Sequence, residues 1–507
     1  MAGIVETKGR DGNTYGAVLS PGSRGRIRLV LKRRVSTSRF EQISLAGCWL
    51  MPAASMKQTV THGLQTAAAS LRQLGLWLLL AAPVAVMSGS ASALFLWSLD
   101  AVTHLRWANP WLIFLLPAGG ALVAMAYLRW GRESDRGTNL IIDEIHEPGG
   151  GVPPRMAPLI LITTLLTHLV GGSAGREGTA IQMGGGLAGG MIEALRIESK
   201  HRRTVLMAGV AAGFGSVFGT PLAGAIFAME VLAIGQLRYE AVIPCVLAGL
   251  AGDMTCSAWG VKHTVYHVEV ANAAGRFGLG HVDVLLLGKS MVAGALFGLA
   301  AWLFSELAHG MQAAFRRHLS RAWLRPVVGG VLLLTMTWLL GTRSYLGLGV
   351  SSPDSSEVTI LSAFQAGGAS NWSWLWKTLF TVVTLGSGFR GGEVTPLFFV
   401  GATLGHATGA WMGAPVDLFA ALGFVAVFAG ASNTPLACTV MGIELFGAAQ
   451  APYLVVACFM AYLFSGQSGI YGAQRLQRSK TGGPVSASSL AEARKRAVKA
   501  GDDERLN

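Results

Sequence analysis

Apolar runs separated by short polar breaks occupy the chain from about residue 75 to residue 466. The clearest span 75–104, 111–130, 155–172, 177–194, 203–217, 221–235 and 239–260. After a polar stretch come 282–310, 323–341, 372–386, 393–410, 416–431, 434–447 and 450–466. This pattern predicts a polytopic α-helical membrane protein. A helix needs about 20 residues to cross the hydrocarbon core, and many of these runs are shorter. Helices that stop midway are tolerated only where protein or a water-filled cavity covers their ends. Interrupted helices of this kind are a transporter's architecture rather than a simple bundle's.

The pattern repeats. Thr220-Pro-Leu-Ala223 leads to Glu230, and Thr434-Pro-Leu-Ala437 leads to Glu444, nine residues beyond the proline in both copies. Upstream, Gly175-Arg-Glu-Gly-Thr179 matches Gly391-Gly-Glu-Val-Thr395, with Glu and Thr in the same places. The offsets nearly agree, 216 residues from Glu177 to Glu393 and 214 from Pro221 to Pro435. Two halves, each with a broken helix carrying a glutamate, point to a binding site near the bilayer midplane.

The sharpest stretch is 171–182, Gly-Gly-Ser-Ala-Gly-Arg-Glu-Gly-Thr-Ala-Ile-Gln. Ionisable groups are costly at membrane depth, so Glu177 needs a partner or a job. The glycines let one helix break before another begins. A helix starting near Glu177 leaves unpaired N–H groups in the break, and these attract anions. A carboxylate there can compete with a small anion for the same groups. The plainer alternative is a glycine-rich kink with a paired Arg176 and Glu177.

Composition agrees with a membrane body. Hydrophobic residues make up 51% and charged residues 13%, against about 25% charged in soluble domains. The 67 glycines suit close helix approach in lipid. The net charge of +13 sits at the ends, +7 over residues 1–60 and +4 over 475–507. A nucleic-acid partner is therefore excluded as the reason for the basic balance. Basic tails, with the loops Lys200-His-Arg-Arg203 and Arg316-Arg-His-Leu-Ser-Arg321, mark the cytoplasmic side, while 261–281 reads as external. Cys48, Cys245, Cys256, Cys438 and Cys458 are scattered, with no spacing for a metal knuckle or a disulfide framework. No cofactor is indicated.

Gly175-Arg-Glu-Gly178, the Gly386-Ser-Gly-Phe-Arg-Gly-Gly-Glu-Val-Thr-Pro396 stretch, the two Thr-Pro-Leu-Ala segments and Gly469-Ile-Tyr471 together resemble the CLC family of anion channels and proton-coupled antiporters. The resemblance covers about residues 70–480. It implies an all-α integral membrane fold of two inverted repeats, with broken helices meeting at the midplane. It also implies a homodimer with a pore in each subunit, Glu177 as gating glutamate and Tyr471 as the inner tyrosine of the anion path. On this basis residues 66–260 form the first membrane repeat, 282–467 the second and 468–480 a terminal pore-lining helix. Residues 481–507 form a cytoplasmic tail without the family's CBS domains. Residues 1–60 are a basic leader, expected to be disordered or to precede a true start at Met51 or Met56. The expected location is a bacterial-type inner membrane, multi-pass, with both termini cytoplasmic.

Departures from the family pattern narrow the expectation. Arg136-Gly-Thr-Asn-Leu140 stands where chloride-handling members carry Gly-Ser-Gly-Ile-Pro. Glu177 is followed by Gly-Thr rather than Gly-Pro, and Val231 occupies the place of a second, internal glutamate. Glu393 replaces an apolar residue. This set resembles the fluoride/proton antiporter branch. Glu393 then serves as proton relay or lines the ion path, alongside Thr395, Phe398, Phe399, Tyr471, Thr138 and Asn139 as anion-binding candidates.

Fluoride is small and strongly hydrated, so hydroxyls of Thr395 and Tyr471 and N–H groups after Glu393 would replace its water. Phe398 and Phe399 could offer the positive ring edge, or could simply pack. Tyr471 reads alternatively as an interfacial anchor, Thr138 and Asn139 as helix caps, and Glu393 as a structural residue bonded to Thr395 or backbone. A chloride or nitrate channel or antiporter is the nearest alternative function. A membrane metalloenzyme built on Asp143-Glu-Ile-His-Glu147 is a more distant one, since no second such motif follows.

Overall fold

Proline and glycine set where the apolar runs break. The computed structural model describes residues 4–8, 14–22, 26–36, 39–43, 53–269, 278–279, 282–480, 482 and 487–496. Its α-helices are α1 (Ala53–Ala108), α2 (Leu116–Trp130), α3 (Thr138–His146), α4 (Met156–Leu169), α5 (Glu177–Ala194), α6 (Ser199–Phe218), α7 (Pro221–Glu230) and α8 (Val242–Ala258). They continue with α9 (Val284–His318), α10 (Leu324–Leu340), α11 (Ser373–Ser387), α12 (Val394–Met412), α13 (Val416–Ser432), α14 (Pro435–Phe446) and α15 (Ala451–Phe464). Helices α7 and α14 each start on proline, whose missing N–H would be unpaired in a first turn anyway. Among the described residues, only Leu64–Ala108, Pro110–Trp130, Tyr239–Ala258 and Val284–His318 are long and apolar enough to cross a membrane. Most of the others stop short, as the run lengths predict.

The chain divides into two units, Met1–Leu76 and Trp77–Asn507. In the first, the segment read as a leader carries an antiparallel meander of strands Ile4–Lys8, Thr14–Gly22, Arg26–Ser36 and Arg39–Ile43. Hydropathy windows tuned to membrane spans do not register such short strands, although Ile27-Arg-Leu-Val-Leu31 has the β-branched content strands favour.

In the second unit the same packing occurs twice. Helix α4 packs on α5 and α5 on α6; α11 packs on α12 and α12 on α13. Both major crossings rest on glycine pairs. A Cβ on Gly184 would stand 2.1 Å from the Gly209 carbonyl oxygen, and one on Gly401 would stand 2.0 Å from that of Gly423. Lipid offers little hydrophobic drive between helices, so backbone-to-backbone approach through small residues supplies the attraction.

The halves are joined by α7 against α14 and α2 against α10. At the first junction, Glu230 closes α7 and accepts the N–H groups of Leu436 and Ala437, at 3.1 and 2.8 Å, in the first turn of α14. Glu444, near the end of α14, accepts those of Leu222 and Ala223, at 3.0 and 2.9 Å, in the first turn of α7. The C-terminal end of each helix thus meets the N-terminal end of the other, and the two lie antiparallel. This is the inverted relation of two repeats, made by the glutamates of the Thr-Pro-Leu-Ala repeat. A carboxylate also complements the positive end of a helix dipole.

A further expectation needs correction. No helix forms over 468–480, where turns lead into a two-residue strand, Arg475–Leu476, paired in parallel with Ala233–Ile234. Gly466, Gly469 and Gly472 weaken helix propensity there, and Ile470 donates instead to the Ala431 carbonyl at 2.9 Å. The next described helical turns beyond it lie at 490–496. Within 261–281, read as external, one described residue packs into the protein. Tyr266 is buried against Phe364, Phe424 and Phe446.

Candidate functional site

The two broken helices meet end to end. Gly175 and Gly392, in the loops preceding α5 and α12, exchange a pair of backbone hydrogen bonds of 2.6 and 2.8 Å. Glu177 is the first residue of α5, and Glu393 caps α12. This short antiparallel bridge brings their helix starts together, though they are far apart in sequence.

Glu177 is fully buried. Its Oε2 accepts the Thr395 N–H at 3.0 Å, the Arg176 N–H at 3.2 Å and the Thr395 hydroxyl. Its Oε1 pairs with Arg176 Nε at 3.2 Å. Hydrogen bonds to an ionised group contribute about 1.5–3 kcal/mol each, which makes the burial of this carboxylate tolerable. It occupies the N-terminus of α12, where the first-turn N–H groups lack intrahelical acceptors and a small anion would otherwise bind.

Glu393 is placed differently. Its side chain makes no capping bond to α12. It is half-buried and lines a cavity of about 180 Å³ together with Arg136, Thr138, Gln182, Arg390 and Tyr471. The hydroxyl of Thr395, the partner considered for a structural Glu393, is given to Glu177 instead.

Tyr471 is 2% exposed, and its hydroxyl has no hydrogen-bond partner among the described residues. Its ring meets Phe227 edge-on at 6.3 Å. The segment around it is fixed from both halves. Ala473 N–H donates to Asn139 Oδ1 at 2.9 Å, His309 Nε2 donates to the Gly469 carbonyl at 3.0 Å, and Asn433 Nδ2 donates to Gln474 at 3.0 Å. Asn139 is therefore engaged in positioning the Tyr471 segment. Thr138 opens α3 and faces the cavity, with Gly137 as the cap residue.

The phenylalanines part company. Phe398 stacks on Phe424 at 4.0 Å and meets Phe218 and Phe428 edge-on at 5.0 and 5.5 Å. Phe218 in turn lies 6.0 Å below the Arg176 guanidinium. Phe398 thus belongs to an aromatic column that reaches Arg176. Phe399 points to another neighbourhood, where the ammonium of the fully buried Lys377 lies 5.2 Å from its ring centroid. Lys377 itself donates to the carbonyls of Tyr345 and Gly347 at 3.2 and 2.8 Å.

A second cavity, of about 410 Å³, reaches Arg176 and is lined by Arg106, Lys262 and Asp100 among others. Arg176, bonded to Glu177, stands in the wall of this cavity, and Glu393 in the wall of the other. Two residues of the site were not singled out in the sequence. Arg390 donates to the Asp135 carbonyl at 3.2 Å, pairs with its carboxylate and stacks 3.8 Å over the Tyr127 ring, so it pins the loop before α12 to the first half. An arginine within an apolar stretch was its signal. Gln182 was part of the 171–182 stretch, but its helix face could not be read from sequence alone.

The residues of the metalloenzyme alternative are engaged elsewhere. Asp143 pairs with Arg136, His146 Nε2 donates to the Leu232 carbonyl at 2.8 Å, and Glu144 accepts the N–H groups of Gly149 and Gly150.

Comparison with known proteins accords with this geometry. The family model "Voltage gated chloride channel" matches residues 119–466. A "Chloride/fluoride channel protein" of Pseudomonas syringae pv. tomato is 49% identical over 416 residues, covering 81% of this chain and 88% of the relative. An "H(+)/Cl(-) exchange transporter ClcA" of Yersinia pestis is 28% identical over 336 residues, covering 63% of this chain and 67% of the relative. Among solved structures, a CLC-type fluoride/proton antiporter superposes with a TM-score of 0.73 at 32% identity, covering 80% of this chain and 98% of that one. A slow cyanobacterial Cl⁻/H⁺ antiporter, at 19% identity and a TM-score of 0.64, shares the fold and covers 77% of this chain and 94% of its own. With its interrupted helices, inverted halves and matched length, this chain belongs to the voltage gated chloride channel (CLC) family, whose members are transporters or channels rather than enzymes.

Proposed function

We propose that this protein exchanges fluoride for protons across the membrane, with Glu177 as the group that couples the two flows. One observation carries the reading: the Glu177 carboxylate rests on the Thr395 and Arg176 N–H groups that an anion would use. Anion and carboxylate compete for the same donors. When Glu177 takes a proton it loses its charge, its hold on those donors weakens, and an anion replaces it. When the anion leaves, the deprotonated carboxylate returns. Each exchange of occupant moves a proton relative to the anion.

Glu393 supports the proton half of the cycle. It faces the same cavity as Tyr471, and the buried Val231 offers no carboxylate at the family's usual internal position. A proton released from Glu177 has Glu393 as its next carboxylate. The Thr395 hydroxyl and the free Tyr471 hydroxyl are donors of the kind a strongly hydrated anion requires. Names among similar proteins favour fluoride, since the Pseudomonas relative is called a chloride/fluoride channel protein and the 32%-identical structure is a fluoride/proton antiporter.

A chloride or nitrate channel or antiporter of the same family is the second reading. A carboxylate in the wall of the anion cavity speaks against a passive channel, because Glu393 would repel its cargo. The protein acts as a homodimer in a bacterial inner membrane with both termini in the cytoplasm, on the same family grounds. The test is fluoride efflux from liposomes holding the purified protein, with pH recorded at the same time. Proton uptake coupled to fluoride loss is the expected result; anion leakage without proton movement would favour the channel.

A further inference from the structure

We infer that Gln182 is a specificity-determining residue of the anion path, its side-chain amide and the start of α3 together holding the anion in the Tyr471 cavity. The inference rests on the exchange reading above and adds a ligand to it. Gln182 sits on α5 five residues after Glu177. It is 8% exposed, yet no hydrogen bond joins its amide to another described residue. Buried amides nearly always have partners, so this one is satisfied from the cavity that it lines with Thr138, Glu393 and Tyr471.

Its position over α3 is built in. A Cβ on Gly137 would stand 3.2 Å from Gln182 Oε1 and 3.3 Å from Nε2. Gly137 also adopts a φ of +54°, a region that side chains other than glycine's rarely enter. A bare glycine therefore leaves room for the amide above the first turn of α3, whose N–H groups lack intrahelical acceptors. The Gln182 NH₂ group contributes two donors and no net charge. It can replace water around a small anion without trapping it, whereas a lysine at this depth would add a full charge. The amide oxygen is left to accept from a water or from protonated Glu393. Donors in short reach favour the most strongly hydrated halide, so the contribution falls more on fluoride than on chloride.

Fluoride and chloride binding to purified wild type, Gln182→Leu and Gln182→Met, measured by titration calorimetry, test this, with elution volume in detergent as the check on folding. Gln182→Met keeps the length of the side chain, Gln182→Leu shortens it by one atom, and both remove its donors. Loss of one hydrogen bond to a charged ligand predicts a fluoride Kd raised about 10–100-fold, with chloride affinity changed less and the proton-to-anion ratio in liposomes unchanged. A variant that elutes as wild type and binds fluoride within about twofold of it overturns this inference and leaves the exchange reading standing. A wild type that neither binds nor carries fluoride overturns both.

Discussion

Glu177 and Thr395 lie 218 residues apart in sequence, yet the Thr395 N–H donates to Glu177 Oε2 at 3.0 Å and its hydroxyl donates to the same oxygen. The first broken helix thus supplies a carboxylate to the start of the second. On the exchange reading proposed above, anion access to α12 depends on what that carboxylate does.

Neutralising Glu177 should end proton coupling. Glu177→Gln and Glu177→Ala are expected to abolish proton movement driven by a fluoride gradient, whatever anion flux remains. Proton pumping in either purified variant in liposomes would overturn the assignment.

Thr395 carries a narrower expectation. Thr395→Val keeps the backbone N–H and the shape while removing the hydroxyl, so Glu177 loses one charge-assisted bond of about 1.5–3 kcal/mol. Exchange should slow by roughly tenfold or more, and Thr395→Ser should restore most of it. Equal slowing in both variants would show that the hydroxyl is not what matters.

Glu393→Gln separates relay from structure. The protein should insert and elute normally, while fluoride-driven proton flux collapses. Exchange near the wild-type rate would sink the relay, because glutamine cannot titrate.

The paired glutamates at the α7–α14 junction are a matter of stability. Glu230→Ala and Glu444→Ala each leave two helix-start N–H groups without acceptors, at a cost of about 2–4 kcal/mol. Each variant should melt at a lower temperature in detergent than wild type. A melting point unchanged in both would mean that the caps contribute nothing.

Lys480, beyond the last membrane helix, gives a pH dependence. Its ammonium donates to the Tyr462 carbonyl and the Ser465 hydroxyl at 2.9 Å, and burial pushes it down to about 7 from its ordinary 10.5. Between those values the undocked segment binds more protons than the docked one, so docking strengthens as pH rises. Amide protection over 466–480, corrected for intrinsic exchange, should be greater at pH 9 than at pH 6.5. Protection that falls over that range would contradict it.

Much of this was legible in the residues. Thr-Pro-Leu-Ala with a glutamate nine positions on gave the repeat, because proline and carboxylate are both constrained at helix ends. The same spacing did not reveal that each glutamate caps the opposite half, since a register within one chain segment carries no information about partners. Arg176-Glu177 stood out because a charge at membrane depth demands a partner, and the structure supplies Arg176 and Thr395 as partners of Glu177. The Tyr471 segment departs from the expected helix because its shape is set by distant carbonyls, Ala431 and Leu232. Asn139, expected as cap or ligand, instead accepts the Ala473 N–H. Phe398 and Phe399 are adjacent in sequence but face different neighbours, a separation that helix phase imposes.

The reciprocal caps also bear on how the protein is made. Glu230 leaves the ribosome 206 residues before Leu436, which it needs as a donor. At about 5–20 residues per second, synthesis of that interval takes roughly 10–40 s. Throughout it the first half stands in the bilayer with a carboxylate and two open amides that only the second half can satisfy. Neither half is therefore a finished folding unit. Biogenesis has a waiting state, and slowing translation between the two Thr-Pro-Leu-Ala segments should lengthen the time during which quality-control proteases can remove the chain.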